Sequence, residues 1–400
     1  MFLRNIPILT FCQLISATGA FSMVTLGAII GARLATNPAL ATLPVSIMVV
    51  CVAATTIPAT MLMRRIGRRR GFALASLSSV VSLSIAGLAL HQQSFLLFGV
   101  AAAVFGINMA FTQQYRYAAV ESVEPPYVPR AVSFVLVGAL GGAFAGEQIV
   151  RLGEFAIPST QYLGTLVALA ALYVLQSLLF LTLAPLHADS QADTGPPARP
   201  LAEIAAQPVF IVAVMGGTVA YGVMTFIMTA TPLSMHVHDG FTLEETLPVI
   251  RNHVLGMYAP SLVSGFLIER FGLVRIMSAG AFGLIAACLI GMHGQSYMHY
   301  WYALILLGVG WNFLYVGGTT MLTLGYRMSE RFRAQAVNEF CVFGTSATGS
   351  LLAGTIIYLY GWYTLVVAPL PLLALILGGL WYVRRDAQLG KPQAASGVAG

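Results

Sequence analysis

The chain is a succession of apolar runs, each about as long as a bilayer is thick, separated by short clusters of Arg, Pro, Gly and polar residues. A hydrocarbon core of ~30 Å needs ~20 apolar residues per helix. Twelve runs meet that need: 6 to 31, 39 to 62, 72 to 90, 95 to 119, 131 to 150, 162 to 184, 208 to 233, 248 to 267, 276 to 292, 300 to 324, 337 to 358 and 364 to 383. None alternates with a period of two, so a transmembrane barrel is disfavoured. Helices satisfy their own backbone groups in lipid. With 58% hydrophobic and 8% charged residues, a water-soluble surface cannot be assembled, and an all-α membrane protein is expected.

The formal charge of +6 is not gathered into one basic domain, which argues against a nucleic-acid partner. With the N-terminus placed in the cytoplasm, sixteen of the twenty Arg and Lys fall on the cytoplasmic side and only Arg33, Arg151 and Arg251 outside. That bias predicts a multi-pass protein of the cell inner (plasma) membrane with both termini and the central linker inside. The first run is too long for a signal-peptide core and is expected to stay as a helix. Cys12, Cys51, Cys288 and Cys341 lie in separate runs, as packing residues would.

The longest polar stretch, 187 to 207, reads as a flexible linker. It separates a six-helix bundle over 1 to 186 from a second over 208 to 385, with a flexible tail over 386 to 400. The halves echo each other. Met63-Arg64-Arg65-Ile66-Gly67-Arg68-Arg69-Arg70 follows the second run, and Ile268-Glu269-Arg270-Phe271-Gly272-Leu273-Val274-Arg275 follows the eighth. Gly106-Ile107-Asn108 in the fourth run matches Gly310-Trp311-Asn312 in the tenth. Two related bundles are what a rocking transporter is built from.

These loops carry a family resemblance. Gly265-Phe266-Leu267-Ile268-Glu269-Arg270-Phe271-Gly272 resembles the signature loop of the major facilitator superfamily, Gly-x-Leu-x-Asp-Arg-x-Gly-Arg-Arg, with Glu in place of Asp. The first-half copy keeps Leu62, Arg65, Gly67, Arg68 and Arg69, but has Arg64 in place of the acid and Thr60 in place of the first Gly. The resemblance implies two pseudo-symmetric six-helix bundles and a cytoplasmic gate at Arg65, Gly67, Arg68, Glu269, Arg270 and Gly272. Glu339 is expected to supply the negative charge missing from the first loop.

Polar residues fall at spacings of three and four, on single stripes, in the first, fourth, seventh and tenth runs. They are Gln13 and Ser16; Asn108, Thr112, Tyr115 and Arg116; Thr218, Tyr221, Thr225 and Thr229; and Asn312, Tyr315 and Thr319. In the family resembled, these four helices line the central cavity. Gln13, Asn108, Thr112, Tyr115, Arg116, Tyr221, Thr225, Asn312 and Tyr315 are therefore the candidate substrate-binding residues. The competing reading of any one of them is helix-to-helix glue at ~0.6 kcal/mol.

Arg116 is the one cation expected inside the membrane, where it needs an anion or water. It is either a clamp for an anionic solute or a structural cation paired with Glu121 or a loop acid. Glu147 follows a Gly-rich run, Gly138 to Gly146, that resembles the family's fifth-helix motif. It is either a carrier of the coupling proton or the partner of Arg151 at i+4. His91, His236, His238, His253, His293 and His299 map to the outer side, and His236, His238 and His253 are candidates for a metal.

The expected function is secondary active transport of a small solute, such as an organic anion or a drug-like molecule, by alternating access. Protons are the expected coupling ion, no cofactor is expected, and the partners are solute and lipid around a monomer. No Walker loop is present, and the Gly residues lie within helices with no preceding strand, so no nucleotide site is expected. The first run has no acid to carry a proton. Alternatives are a transition-metal or metal-chelate transporter using the outer histidines, an integral-membrane enzyme, or a receptor or scaffold. The second would need acids and bases converging in the membrane, and the last a soluble domain.

Overall fold

The computed structural model describes residues 2–123, 128–184 and 199–385, and every regular element among them is helical. In order they are α1 (Phe2–Leu34), α2 (Leu43–Ile66), α3 (Arg68–His91), α4 (Phe95–Thr112), α5 (Tyr115–Val120), α6 (Val128–Gly153) and α7 (Leu163–Leu181). After the short α8 (Leu201–Ala205) come α9 (Pro208–Leu233), α10 (Leu243–Tyr258), α11 (Ser261–Phe271), α12 (Leu273–His293), α13 (Tyr297–Gly325), α14 (Arg331–Val367) and α15 (Leu370–Val383).

Helix covers all twelve expected runs, but only ten helical stretches are long and apolar enough to cross a membrane uninterrupted. Two local features account for the difference. The run expected over 248 to 267 is split at Ala259-Pro260 into α10 and α11, because proline has no N–H to continue the helical ladder. Arg333–Val383 counts as one stretch of 51 residues, although Gly361, at φ 75° and ψ 179°, interrupts the helix between the two runs expected there.

The internal repeat is visible in the backbone. Gly67 separates α2 from α3 at φ 83° and ψ 154°, and Gly272 separates α11 from α12 at φ 92° and ψ 146°. A side chain would strain both turns, so the two signature loops need glycine at the same place for the same reason.

Within the first half α1 packs on α6, α3 on α4 and α7, and α2 on α4; within the second, α13 packs on α9, α10 and α12, and α9 on α14. The Gly-rich stripe of α6 permits the first of these contacts. A Cβ on Gly138, Gly142 or Gly146 would collide with Thr10, Ala17 or Phe21 of α1. Small residues at spacings of four let two helices approach closely where lipid offers no hydrophobic drive. The halves meet through α2 with α14 and α6 with α10, two pairings related by the repeat.

Their contact is one-sided. Ser46, in the first turn of α2, donates to the Ser350 carbonyl of α14 at 2.7 Å, and the Ser350 hydroxyl lies 3.1 Å from that of Ser46. Further along α2, Ile57, Met61 and Leu62 are exposed, as are Leu262, Val263 and Phe266 on α11. The bundles therefore touch at the face remote from the chain ends and part at the face that carries them.

The expected linker and tail lie partly outside the described residues. From Arg199 onward the described part of this stretch packs against the second bundle. The backbone N–H and guanidinium of Arg199 donate to Glu330 at 2.8 to 2.9 Å, and Gln207 donates to the Gly325 carbonyl at 3.0 Å. Ile204 of α8 is buried. Hydrogen bonds from the Arg199 guanidinium hold the Glu330 carboxyl far below the usual carboxylate range.

Candidate functional site

Several of the expected cavity residues face the interiors of the bundles. Tyr115 opens α5 after a break at Gln113-Gln114 and is fully buried. Its hydroxyl lies 3.3 Å from that of Ser16, and its ring meets Phe72 and Phe180 at 4.9 and 5.2 Å. Gln176 of α7 completes the network, donating to the Ser16 hydroxyl at 2.8 Å and the Cys12 carbonyl at 2.7 Å. Thr112 returns its hydroxyl to the Asn108 carbonyl at 3.3 Å, and Thr225 pairs with Ser346 of α14 at 2.8 Å.

The repeat-related asparagines differ. Asn312 of α13 donates to the Met257 carbonyl at 2.7 Å and to the Ser261 hydroxyl at 2.5 Å, and accepts from Ser264 at 2.8 Å. It thereby ties both sides of the α10/α11 break, where proline leaves the helix ladder incomplete. Asn108 of α4 is also fully buried, but its amide makes none of the close hydrogen bonds of Asn312 and has the Tyr173 hydroxyl as a loose polar neighbour. A period of three to four marks any helix face that meets another helix, inside a bundle or across the cavity. The stripes therefore include both kinds of residue.

A different set converges between the bundles. Trp311 and Tyr315 of α13 stack at 5.1 Å with an interplanar angle of 17°. Tyr221 of α9 stands edge-on to both, at 5.2 and 4.8 Å, and its ring is 5.8 Å from that of Phe343 of α14. Tyr258 of α10 flanks Trp311 at 6.2 Å. Against this aromatic wall of the second half stands Arg116 from α5 of the first, within electrostatic reach of Tyr315, Tyr221, Tyr258 and Glu339. One guanidinium nitrogen donates to the Tyr117 hydroxyl at 3.2 Å, and Nε is buried without a partner. Gln13 is half-buried on α1, beside Gly138.

The ion pairs differ from the expected ones. Arg116 is not paired with Glu121, because Arg68 of the first signature loop takes that carboxylate in a two-pronged contact, 2.6 Å from Nε. The charge that Glu339 was expected to bring to that loop thus comes from Glu121, and Glu339 lies near Arg116 instead. Glu147 pairs with Arg251 of α10 at 2.7 Å and not with Arg151. In the second loop Arg270 lies over the ring of Phe271, with Glu269 exposed beside it. Arg65 is exposed.

The histidines do not converge. Nδ1 of His236 contacts the Phe241 carbonyl at 2.8 Å, Nδ1 of the buried His253 contacts that of Leu304 at 2.9 Å, and His238 joins neither. Among the described residues no three His, Cys, Asp or Glu are grouped as a metal would need. Trp311, Tyr258 and Phe343 of the aromatic cluster, and Arg251 opposite Glu147, were not among the residues singled out in the sequence. Aromatic residues are common on lipid-facing helices, so composition gives them no distinction. Only the position of Trp311 inside the repeated Gly-x-Asn triplet marked it out.

Two bundles related by a repeat, joined at one face and open at the other around a mixed aromatic and cationic site, define a carrier of small solutes. The Major Facilitator Superfamily profile matches residues 9–251 and 252–398, and the chain belongs to that family of transporters. Among its relatives, the riboflavin transporter RfnT of Brucella anthropi is 38% identical over 378 residues, covering 94% of each chain. The uncharacterized MFS-type transporter YddS of Bacillus subtilis is 28% identical over 414 residues, covering 96% of this chain and 92% of its own. In fold the chain is similar to the nucleoside transporter NupG, with a TM-score of 0.72 at 15% identity over 96% of this chain and 99% of that one. A bacterial homolog of the human lysosomal transporter Spinster, solved inward-facing and unoccupied, also gives 0.72 at 15% identity, covering 99% of each chain.

Proposed function

We propose that the chain carries riboflavin, or a solute with the same flat heteroaromatic ring, across the inner membrane by alternating access. Twelve crossings with both termini in the cytoplasm make the structure inward-open. The observation that carries the proposal is the wall of Trp311, Tyr315 and Tyr221 facing Arg116 at the junction of the bundles. A planar, electron-poor isoalloxazine ring stacks on such a wall with ~1–3 kcal/mol per aromatic contact, as nucleic-acid bases do. The 38% identical riboflavin transporter supports the same solute class.

Riboflavin is neutral, so an Arg without a directly paired carboxylate acts here as a fan of hydrogen-bond donors and not as a counter-charge. Gln13, half-buried on α1, completes the polar side of the site. The loop residues Arg65, Gly67, Arg68, Glu269, Arg270 and Gly272 form the cytoplasmic gate, and Glu147 with Arg251 the outer one. This gives Glu147 a gating role in place of the proton-carrier role, because its carboxylate is bonded to Arg251 at 2.7 Å across the two bundles. Proton coupling through another group remains part of the proposal, and imposed pH gradients test it directly.

Expression in a riboflavin auxotroph that lacks its own uptake system tests the function. Growth at micromolar external riboflavin, lost on Trp311→Ala, is the expected outcome. Absence of growth with the protein present in the membrane contradicts it.

A further inference from the structure

Arg116 and Glu339 come from opposite bundles, on α5 and α14, and border the same aromatic wall. They are within electrostatic reach of each other, yet they form no ion pair within 4.0 Å among the described residues. The guanidinium has five N–H donors, one of them on a buried Nε without a partner. The Glu339 carboxylate is half-buried, with the Asn338 amide beside it. Two opposite charges held close in a low-dielectric cleft without contact leave donors and acceptors turned to whatever lies between them.

Resting on the flavin reading above, we propose that Arg116 and Glu339 select the solute by the pyrimidinedione edge of its ring. That edge presents ring N1 and carbonyl O2 as acceptors, then N3–H as a donor, then carbonyl O4. Arg116 donates in a fork to N1 and O2, and Glu339 accepts from N3–H, while the ring face lies on Tyr315, which Trp311 backs from beneath. No proton is transferred and no bond is broken. Because one partner stands on each bundle, the edge bridges the two halves. A solute with the matching donor and acceptor order therefore draws them together, whereas a stacked ring without it engages only the second half. Selectivity of this kind arises because a site built around hydrogen bonds is left with unpaired polar groups when the wrong ring binds.

Binding to the purified full-length protein tests this, read by quenching of tryptophan fluorescence with riboflavin, N3-methylriboflavin and flavin mononucleotide. The methyl group removes only the N3–H, so wild type is expected to bind the methylated ring at least ~10-fold more weakly, the usual effect of losing a hydrogen bond to a charged group. Glu339→Leu should bring riboflavin down to the affinity of its methylated analogue, with Glu339→Gln between. Equal affinities of the two rings for wild type would overturn the edge assignment and leave the flavin reading intact. Binding of neither ring would overturn both. A preference for flavin mononucleotide that vanishes in Arg116→Gln would overturn the edge assignment in favour of a phosphate clamp.

Discussion

Glu147 of α6 and Arg251 of α10 meet at 2.7 Å across the two bundles, at the face where the halves are closed. Glu147 is only 7% exposed, and Arg251 is further sandwiched against the ring of Phe144 at 5.2 Å. Removing one charge of a fully buried pair costs ~3–5 kcal/mol, and the partial exposure of Arg251 reduces that to ~1–2 kcal/mol here. The expected result of Glu147→Gln is a roughly tenfold shift of population toward opening at this face. In a background without the native cysteines, Ser46→Cys should then react faster with a membrane-impermeant maleimide added from that side. The double reversal Glu147→Arg with Arg251→Glu should return the rate toward its starting value.

The repeat-related asparagines predict opposite outcomes for the same substitution. Asn312→Leu strands the Met257 carbonyl and two serine hydroxyls at the α10/α11 break, a loss of ~2–3 kcal/mol in all. Asn108→Leu removes a buried amide that makes no close hydrogen bond and has only a loose neighbour in the Tyr173 hydroxyl, and is expected to be near neutral. Thermal melting in detergent distinguishes them: a clear drop for the first and none for the second. Equal drops would contradict the assignment of Asn312 as the tie across the break.

The contact between the linker and the second bundle gives a pH dependence of definite sign. Arg199 holds the folded-state carboxyl of Glu330 well below its unfolded value of about 4.3. Its stabilisation is therefore fully present above that unfolded value and is lost as pH falls toward the depressed one. Melting temperatures of wild type and Arg199→Gln should differ by a constant amount from pH 6 to 8 and converge below about pH 4. A gap that widened in acid would reverse the assignment.

Trp311 sits beneath Tyr315 and beside Tyr221, so its loss should weaken the solute site without opening a gate. Trp311→Ala is expected to lower riboflavin affinity by ~10-fold, because Tyr315 loses the indole that holds its stacking face in place. Trp311→Phe should retain most of the affinity. Isothermal titration with riboflavin measures both.

The architecture was legible because lipid imposes it: run length and the duplicated glycine loop each follow from helix geometry and backbone sterics. The gate partners were not, because Glu147 could pair at i+4 with Arg151 or across the bundles with Arg251, and sequence spacing reports only the first option. Likewise Tyr115 and Asn312 share the period of Tyr221 and Tyr315, yet one pair fastens helices within a half and the other faces the junction. Only the packing of α5 and α13 against their neighbours separates those roles. Trp311 carried no polar signal at all, although it stands at the centre of the wall.

The most direct test is riboflavin counterflow in proteoliposomes, since exchange of labelled for unlabelled solute requires one site opened to each side in turn. Vesicles preloaded with unlabelled riboflavin should transiently accumulate external labelled riboflavin above equilibrium, and Trp311→Ala should abolish the overshoot. Labelled riboflavin that never rises above the level of protein-free vesicles, with the protein folded and inserted, would contradict the account.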